Sequence, residues 1–294
     1  MTGKKVRGQN QLFLQAKRDI YNNIWMNKYK YIMACFIFVL FCLYFEAEYR
    51  SAADLGWIEN NAGFGDIILF IFRGMKVYVP DPSIEFKIPI TWLTVQAFII
   101  YLTGNYITLD MTTYGQQYII RTPHKGYWLL GKLIYCIACV VSFYMTGYLV
   151  VGLYSLAAGH ASLEIHADIC AYVSDIPIEL LDRTDLLLGA VVLPVVTSIV
   201  LSFFQMILSL VIKPVYSVIC MMIYVCASAY YLSYFLIGNY SMILRSHKIV
   251  SQYIVLQRNG IDPYTALCVN GALLAVGFII ALMILKKYDY IDKR

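Results

Sequence analysis

Long apolar runs are the main feature of the residue pattern. Six of them cover residues 31–45, 90–109, 128–157, 186–212, 215–237 and 266–285. An α-helix needs about 20 mostly apolar residues to cross a bilayer, and these runs have lengths of that order. The pattern therefore predicts an all-α integral membrane protein, with a single transmembrane domain over residues 1–294 that contains six transmembrane helices.

A weaker helical pattern precedes the first run, in residues 10–29. Its apolar residues recur at spacings of three and four, while basic and amide residues fall mainly on the other side of the helical wheel. A helix of this kind lies in the membrane interface and does not cross the bilayer. We therefore expect an N-terminal interfacial amphipathic helix with Phe13, Ile20, Ile24 and Trp25 as its apolar and aromatic residues.

Two of the polar segments contain short apolar stretches. In the loop at residues 46–89, the stretch 67–72 is too short to span a membrane, and an interfacial or a re-entrant helix fits it better. In the loop at residues 238–263, the stretches 242–244 and 254–256 are consistent with short amphipathic helices. We expect these short helices on the extracellular surface.

The composition and the distribution of charge favour the same interpretation. The chain is 60% apolar and 14% charged, whereas soluble domains have about 45–50% and about 25%. With six crossings both termini share one side, which carries 15 of the 23 Lys and Arg residues but only four of the 18 acids. The positive-inside rule then predicts that both termini are cytoplasmic. The net charge of +5 forms no basic groove for nucleic acid.

The predicted crossings are almost free of ionisable residues. Asp110 marks the end of the second crossing, and Lys132 lies one turn from the cytoplasmic edge, where its side chain can snorkel. Proteins keep a charge inside the bilayer only where they use it, because burying it is costly. This pattern argues against proton-coupled antiporters, ion pumps and membrane metalloproteases.

The other candidate chemistry is weak. Gly126–Leu133 nearly matches the phosphate-binding pattern GxxxxGK[ST], but Leu133 replaces the hydroxyl residue that would hold Mg²⁺, and no strand precedes it. His160, His166 and Cys170 lie in an acidic polar loop, where solvated side chains are a better interpretation than a metal site. We expect no catalytic, cofactor or metal site in this chain.

The short polar break between the second and third crossings, residues 110–127, is the most informative stretch. Asp110, Thr112 or Thr113 can cap a helix of about two turns, which Pro123 ends. So short a helix is unstable alone; it either docks onto a partner, as aromatic and Arg anchors do, or forms an ordinary interfacial turn. The candidate docking residues are Thr113, Tyr114, Gly115, Gln116, Gln117, Tyr118 and Arg121.

This organisation resembles the permease subunits of the ABC type-2 exporter family. Many bacterial members carry, between the second and third helices, a Gly with polar residues, an aliphatic pair, Arg, a small residue, then basic, Trp and Lys. The chain has these types in order at Gly115–Gln117, Ile119–Thr122, Lys125, Trp128 and Lys132. It departs from the pattern in its large first outer loop, and in having Gln where an acid is common.

The resemblance implies a mechanism and a set of partners. Two permease chains, identical or paired with a sister chain, would form the membrane part, and two separate ATPase subunits holding ATP and Mg would dock beneath them. The segment Thr113–Arg121 would sit in a groove on the ATPase and act as the coupling helix. The 10–29 helix would be a second lever at the interface. Membrane lipid surrounds the assembly, and a hydrophobic or amphipathic cargo suits the uncharged, aromatic helices.

Two other functions compete with this exporter hypothesis. A membrane scaffold, sensor or immunity protein would bind ligands through the acidic outer loops, and no ATPase would accompany it. A membrane-embedded transferase would need a polar cluster at one face, but the outer acids lack the basic partners that a phosphate substrate requires. Those acids are Glu164, Asp168, Asp175, Glu179, Asp182 and Asp185.

Overall fold

A computed structural model describes residues 17–21, 27–79, 86–112, 115, 125–251 and 260–287. Within these ranges the protein is helical and contains no β-strand, as predicted. Its main helices are α1 (Lys28–Asp54), α2 (Phe64–Phe72), α3 (Ile90–Thr103), α4 (Tyr106–Thr112), α5 (Lys125–Ala158), α6 (Arg183–Val211), α7 (Pro214–Tyr230) and α8 (Pro263–Lys287). Short helical turns lie at Ala167–Tyr172, Ile178–Leu180, Ile237–Ser241, Ile243–Arg245 and His247–Val250.

Within the described residues, four helices are long and apolar enough to cross a membrane: α1, α5, α6 and α8. They coincide with four of the six predicted crossings. The first is longer than the apolar run, since α1 continues past Glu46 and Glu48 to Asp54. Glu46 is paired within the protein and does not end the helix.

The other two predicted crossings are shorter helices. The run 90–109 is divided between α3, of 14 residues, and α4, of seven residues. The run 215–237 is helical only to Tyr230, so that α7 has 17 residues. Beyond it the chain is extended at Tyr231 and then forms a 3₁₀ turn at Ile237–Ser241.

Contacts at the two ends of the bundle give the directions of α1, α5 and α8. At the N-terminal end of the bundle, Lys132 of α5 pairs with Asp19, which precedes α1. At the opposite end, called here the loop end, Glu46 of α1 meets His160, which follows α5. The starts of α1 and α5 thus lie together at one end of the bundle, and their later parts lie together at the other. These two helices therefore run in the same direction. The end of α8 returns to the start of α5, where Lys125 donates to the Leu285 carbonyl (2.7 Å).

Helix α6 is the central helix of the bundle and the most buried of the four long helices. It packs against α3, α5, α7 and α8. A π-helical turn at Leu188–Val192 directly precedes Leu193 and Pro194. Proline has no amide hydrogen to donate to the preceding turn, and such widened turns are one way in which a helix absorbs that loss.

Two short segments that were predicted to lie at the surface are buried. Helix α2 has nearly all of its residues inside the protein, packed against α1, α3 and α5. It is therefore not an interfacial helix, and the alternative of a re-entrant helix stays a prediction. The stretch 242–244 is also buried in 3₁₀ turns, which makes the prediction of a surface helix there wrong. Both stretches are apolar, and neighbouring helices and turns of the bundle cover them. The stretch 254–256 lies outside the described residues.

Candidate functional site: a buried charge cluster

Lys132 is the one basic residue inside a predicted crossing, and the structure places it in a cluster of charged side chains. Its side chain is 0% exposed. The ammonium Nζ lies 2.7 Å from Asp19 Oδ2 and 2.8 Å from Asp110 Oδ2. The prediction that Lys132 snorkels to the membrane edge is therefore wrong, because two carboxylates from neighbouring segments reach it inside the bundle.

Three separate segments supply the cluster. Asp19 comes from the helical residues 17–21, Asp110 from α4, and Lys132 from α5. Arg18 completes it from the rim, with its guanidinium 3.1 Å from Asp19 Oδ1 and 3.3 Å from Asp110 Oδ1. Two cations and two carboxylates leave the cluster neutral. Arg18 is partly buried, which acts to lower its pKa, but the two carboxylates outweigh burial and raise the pKa above its usual value.

Aromatic rings enclose the cluster. The Trp128 indole nitrogen donates to Asp110 Oδ2 (3.0 Å). The Lys132 ammonium lies 4.7 Å from the centre of the Tyr106 ring, and that ring stacks on Tyr135. These rings keep water away from the charges, which strengthens their attraction and makes a missing partner more costly. The cluster is thus a rigid joint between the N-terminal segment and two helices.

The predicted coupling segment begins against this joint. Gly115, its one described residue, is buried and helical. A Cβ atom at this position would overlap the carboxylate and the backbone carbonyl of Asp110, so the glycine allows the chain to approach the cluster closely. The other predicted coupling residues lie outside the described residues: Thr113, Tyr114, Gln116, Gln117, Tyr118 and Arg121.

The predicted interfacial helix is described only over residues 17–21, which are helical. Ile20 is half-buried there, and its neighbour Asp19 is fully buried. Phe13, Ile24 and Trp25 lie outside the described residues. Sequence reasoning missed the role of Asp19, although a signal existed. Lys132 in an apolar run requires a counter-charge, and Asp19 and Asp110 are the two acids that precede it on the basic side of the predicted topology.

The loop histidines do not converge. His160 Nε2 lies 3.1 Å from Glu46 Oε2 of α1, whereas His166 Nδ1 lies 2.9 Å from Asp66 Oδ2 of α2. The Asp66 carboxylate also accepts the backbone amides of Gly63 and His166. Each histidine therefore ties the 160–166 loop to a different helix. Among the described residues, no three His, Cys, Asp or Glu side chains are grouped as a metal site.

The acids of the same outer loop are mostly engaged in holding loops together. Asp168 accepts hydrogen bonds from the backbone amides of Glu59 and Asn60 and from the Asn60 side chain. Partial burial would raise its pKa, but these hydrogen bonds dominate and lower it. Asp182 and Asp185 both accept from Lys248, at 2.6 Å. These acids thus have structural partners from the other loops.

An apolar cavity of about 270 Å³ opens between α6, α7 and α8. Its wall includes no charged side chain among the described residues, and its one polar side chain, Tyr224, donates its hydroxyl to the Phe235 carbonyl. The lining residues are Leu201, Phe204, Met221, Tyr224, Phe235, Ile237 and Leu273. A cavity of this size and lining accommodates an apolar group.

Comparison with known proteins identifies a family but not a function. The model of a family described as "Protein of unknown function (DUF2705)" matches residues 67–291. Because the match covers most of the chain, the chain belongs to this family. No curated protein and no solved structure matches it significantly. The match begins within α2 and includes Asp110 and Lys132, whereas Asp19 precedes it.

Proposed function

We propose that this member of the DUF2705 family is the transmembrane subunit of an ATP-driven ABC exporter in a bacterial cell membrane. It moves a hydrophobic or amphipathic substrate with energy from a separate ATPase subunit that binds ATP and Mg. A second permease chain, identical or related, completes the membrane part. The observation that carries the proposal is the contact between Gly115 of the coupling segment and the buried charge cluster.

The cluster gives the coupling segment a path into the membrane helices. A displacement of the segment 113–121 by the ATPase acts first on Asp110, against which Gly115 is packed. Asp110 is joined to Lys132 of α5 and, through Arg18 and Lys132, to Asp19 of the N-terminal segment. Separating these buried charges costs more than moving them together. The elements that carry them therefore move as one body.

The directions of α1 and α5 support six crossings. Since α1 and α5 run in the same direction, the chain between them has to return across the bundle, and α3 with α4 makes that return. Helix α7 likewise separates α6 from α8, and its 17 residues are at the lower limit for a crossing. In this topology both termini are cytoplasmic and the loop end is extracellular.

The energy source is assigned to a partner because the chain's own near-match to a phosphate loop is unsuited to nucleotide. Lys132, the lysine of that match, is buried and paired with two carboxylates, so its ammonium is not available to a phosphate group. Leu133 supplies no hydroxyl for Mg²⁺. The apolar cavity between α6, α7 and α8 supports a cargo with a hydrophobic part.

The test is affinity purification of the tagged chain from its native membrane in mild detergent, followed by mass spectrometry. We expect an ATPase subunit in near-stoichiometric amount. The variant Arg121→Glu should reduce the amount of ATPase that is recovered at least tenfold. The variant chain itself should still elute as a folded protein, as the native chain does. A preparation that retains other membrane complexes but contains no ATPase would contradict the proposal and favour a scaffold, sensor or immunity protein.

A further inference from the structure

A row of polar side chains runs along one buried face of α6 and is called here the polar seam. From Ser198 onward its members recur every three or four residues, which places them on one side of the helix, and Thr197 adjoins this row beside Ser198. Each member is at most 4% exposed. They are Thr197, Ser198, Ser202, Gln205 and Ser209. The central helix of the bundle thus presents a polar face to its interior.

The surrounding helices direct polar groups toward the seam. Asn270 of α8 donates to Thr197 Oγ1 (3.2 Å). Ser198 donates to Gln96 Oε1 of α3 (3.1 Å) and lies 2.9 Å from the Tyr144 hydroxyl of α5. Further along, the Gln205 amide donates to the Gly104 carbonyl and to Ser217 Oγ of α7, both at 3.1 Å. Helices α3, α5, α7 and α8 all contribute to this polar interior.

Three oxygen atoms of this interior have no partner in the part of the chain that the structure describes. Ser202 Oγ, Gln205 Oε1 and Asn270 Oδ1 are buried without a hydrogen bond, and all three residues are 0% exposed. Polar groups buried in this way are normally satisfied, because leaving them without a partner destabilises the fold. In a membrane helix bundle no bulk water is at hand to supply the missing bond.

We infer that the polar seam binds uncharged hydrogen-bond donors, that is, O–H or N–H groups. These three oxygens accept such bonds, and the seam contains no charged side chain. Gln96 Nε2, which faces the seam from α3, is a buried donor without a partner, and a hydroxyl or amide group can accept its bond as well as donate one. Thr197 and Gln205 are eight residues apart, about 12 Å along the helix, so the seam suits a short row of donors better than a single ion. The donors come from water or from the amide and hydroxyl groups of a cargo, and the cargo source rests on the proposed function.

The first experiment asks whether removal of the Ser202 hydroxyl lowers or raises Tm. Ser202→Ala removes one unpartnered hydroxyl and leaves every hydrogen bond described above intact. If the seam holds a donor, Ser202→Ala loses that bond and lowers Tm in detergent by about 2–4 °C. If the seam is empty, removal of a buried hydroxyl that has no hydrogen-bond partner leaves Tm unchanged or raises it, and this result would overturn the inference. Ser198→Ala is the matched control and lowers Tm in both cases, because Ser198 has partners.

The second experiment tests access and the source of the donor. In a cysteine-free background, Ser202→Cys should react with the neutral reagent 2-hydroxyethyl methanethiosulfonate at least tenfold faster than Val200→Cys. Val200 is equally buried on the same helix but outside the seam. Equal rates would overturn the inference. Slower reaction at position 202 in the working transporter with cargo assigns the donors to cargo; an unchanged rate assigns them to water. The difference between positions 202 and 200 stands even if no ATPase partner exists.

Discussion

At the scale of single residues, Lys132 shows what a buried charge requires of its surroundings. An isolated ammonium inside an apolar bundle is costly, and the usual outcome is a paired charge. Asp19 and Asp110 supply the pair, and Trp128 satisfies a further acceptor position on Asp110. The residue that fits least well into its apolar run is therefore the one that joins three segments of the chain.

Lys132→Met is expected to destabilise the protein by about 3–5 kcal/mol, because it leaves Asp19 and Asp110 buried with less compensating charge. Thermal unfolding in detergent measures the effect. The double variant Lys132→Met with Asp19→Asn restores a neutral cluster around Arg18 and Asp110 and should recover part of the loss. A single variant as stable as the native protein would contradict the pairing.

Gly115→Ala is expected to destabilise the joint by about 1–3 kcal/mol, because the new methyl group overlaps Asp110. Gly271→Ala in α8 is the matched control, since a Cβ atom there meets no other atom within 4 Å. Removing a helical glycine should leave the control unchanged or slightly more stable. Equal effects of the two substitutions on thermal stability would show that Gly115 does not pack against Asp110.

At the scale of elements, Arg245 explains where α7 ends. Its guanidinium is buried and donates to the carbonyls of Ser228, Ala229 and Tyr231 at the end of that helix. It also donates to Asn239 Oδ1. Burial lowers the pKa of Arg245 to about 10. Cations and donors at a helix C-terminus satisfy its free carbonyls, so α7 stops at Tyr230 and the following loop folds back over it.

Arg245→Met is expected to cost about 3 kcal/mol, because it leaves several buried carbonyl oxygens without donors. Arg50→Met is the control: Arg50 is an exposed arginine that pairs with Glu46 on α1, and its loss should change stability little. Thermal unfolding in detergent measures the loss of stability in each variant. A small effect at position 245 would mean that its hydrogen bonds do not determine the end of α7.

At the scale of the whole molecule, the two ends of the bundle differ in kind. One end holds the charge cluster, against which Gly115 is packed; in the proposed function a partner would act there through the segment 113–121. The loop end is closed by links between different loops, such as Arg73 to the Val173 carbonyl and Lys248 to Asp182 and Asp185. This division suits a protein that receives force at one end while the other keeps its shape.

Cysteine labelling distinguishes six crossings from four. With six, a cysteine at Glu164 reacts with a membrane-impermeant thiol reagent in intact cells, and a cysteine at Lys213 does not. If only α1, α5, α6 and α8 crossed the membrane, the two positions would exchange sides. The background needs the eight native cysteines removed. Labelling at Lys213 but not at Glu164 would refute the six-crossing topology.

The apolar runs predicted the main helices because a long uninterrupted run admits few other structures in a membrane. They did not predict helix ends, since Glu46 and Arg245 form contacts with residues far along the chain. They also could not tell a surface segment from a buried one, as residues 242–244 show. The charge cluster was missed for the same reason. Asp19 and Lys132 are separated by 113 positions, and no local pattern connects them.

The order of the charged residues along the chain has a consequence for biogenesis. Asp19 and Asp110 are both synthesised before Lys132. If α5 enters the membrane in chain order, both carboxylates that pair with Lys132 have already been synthesised. An unpaired lysine at the centre of a helix opposes insertion by about 2.5–3.5 kcal/mol. This cost is smaller if Asp19 and Asp110 are already present to pair with the lysine. We therefore expect the joint between the N-terminal segment and α5 to close while the ribosome is still translating the second half of the protein.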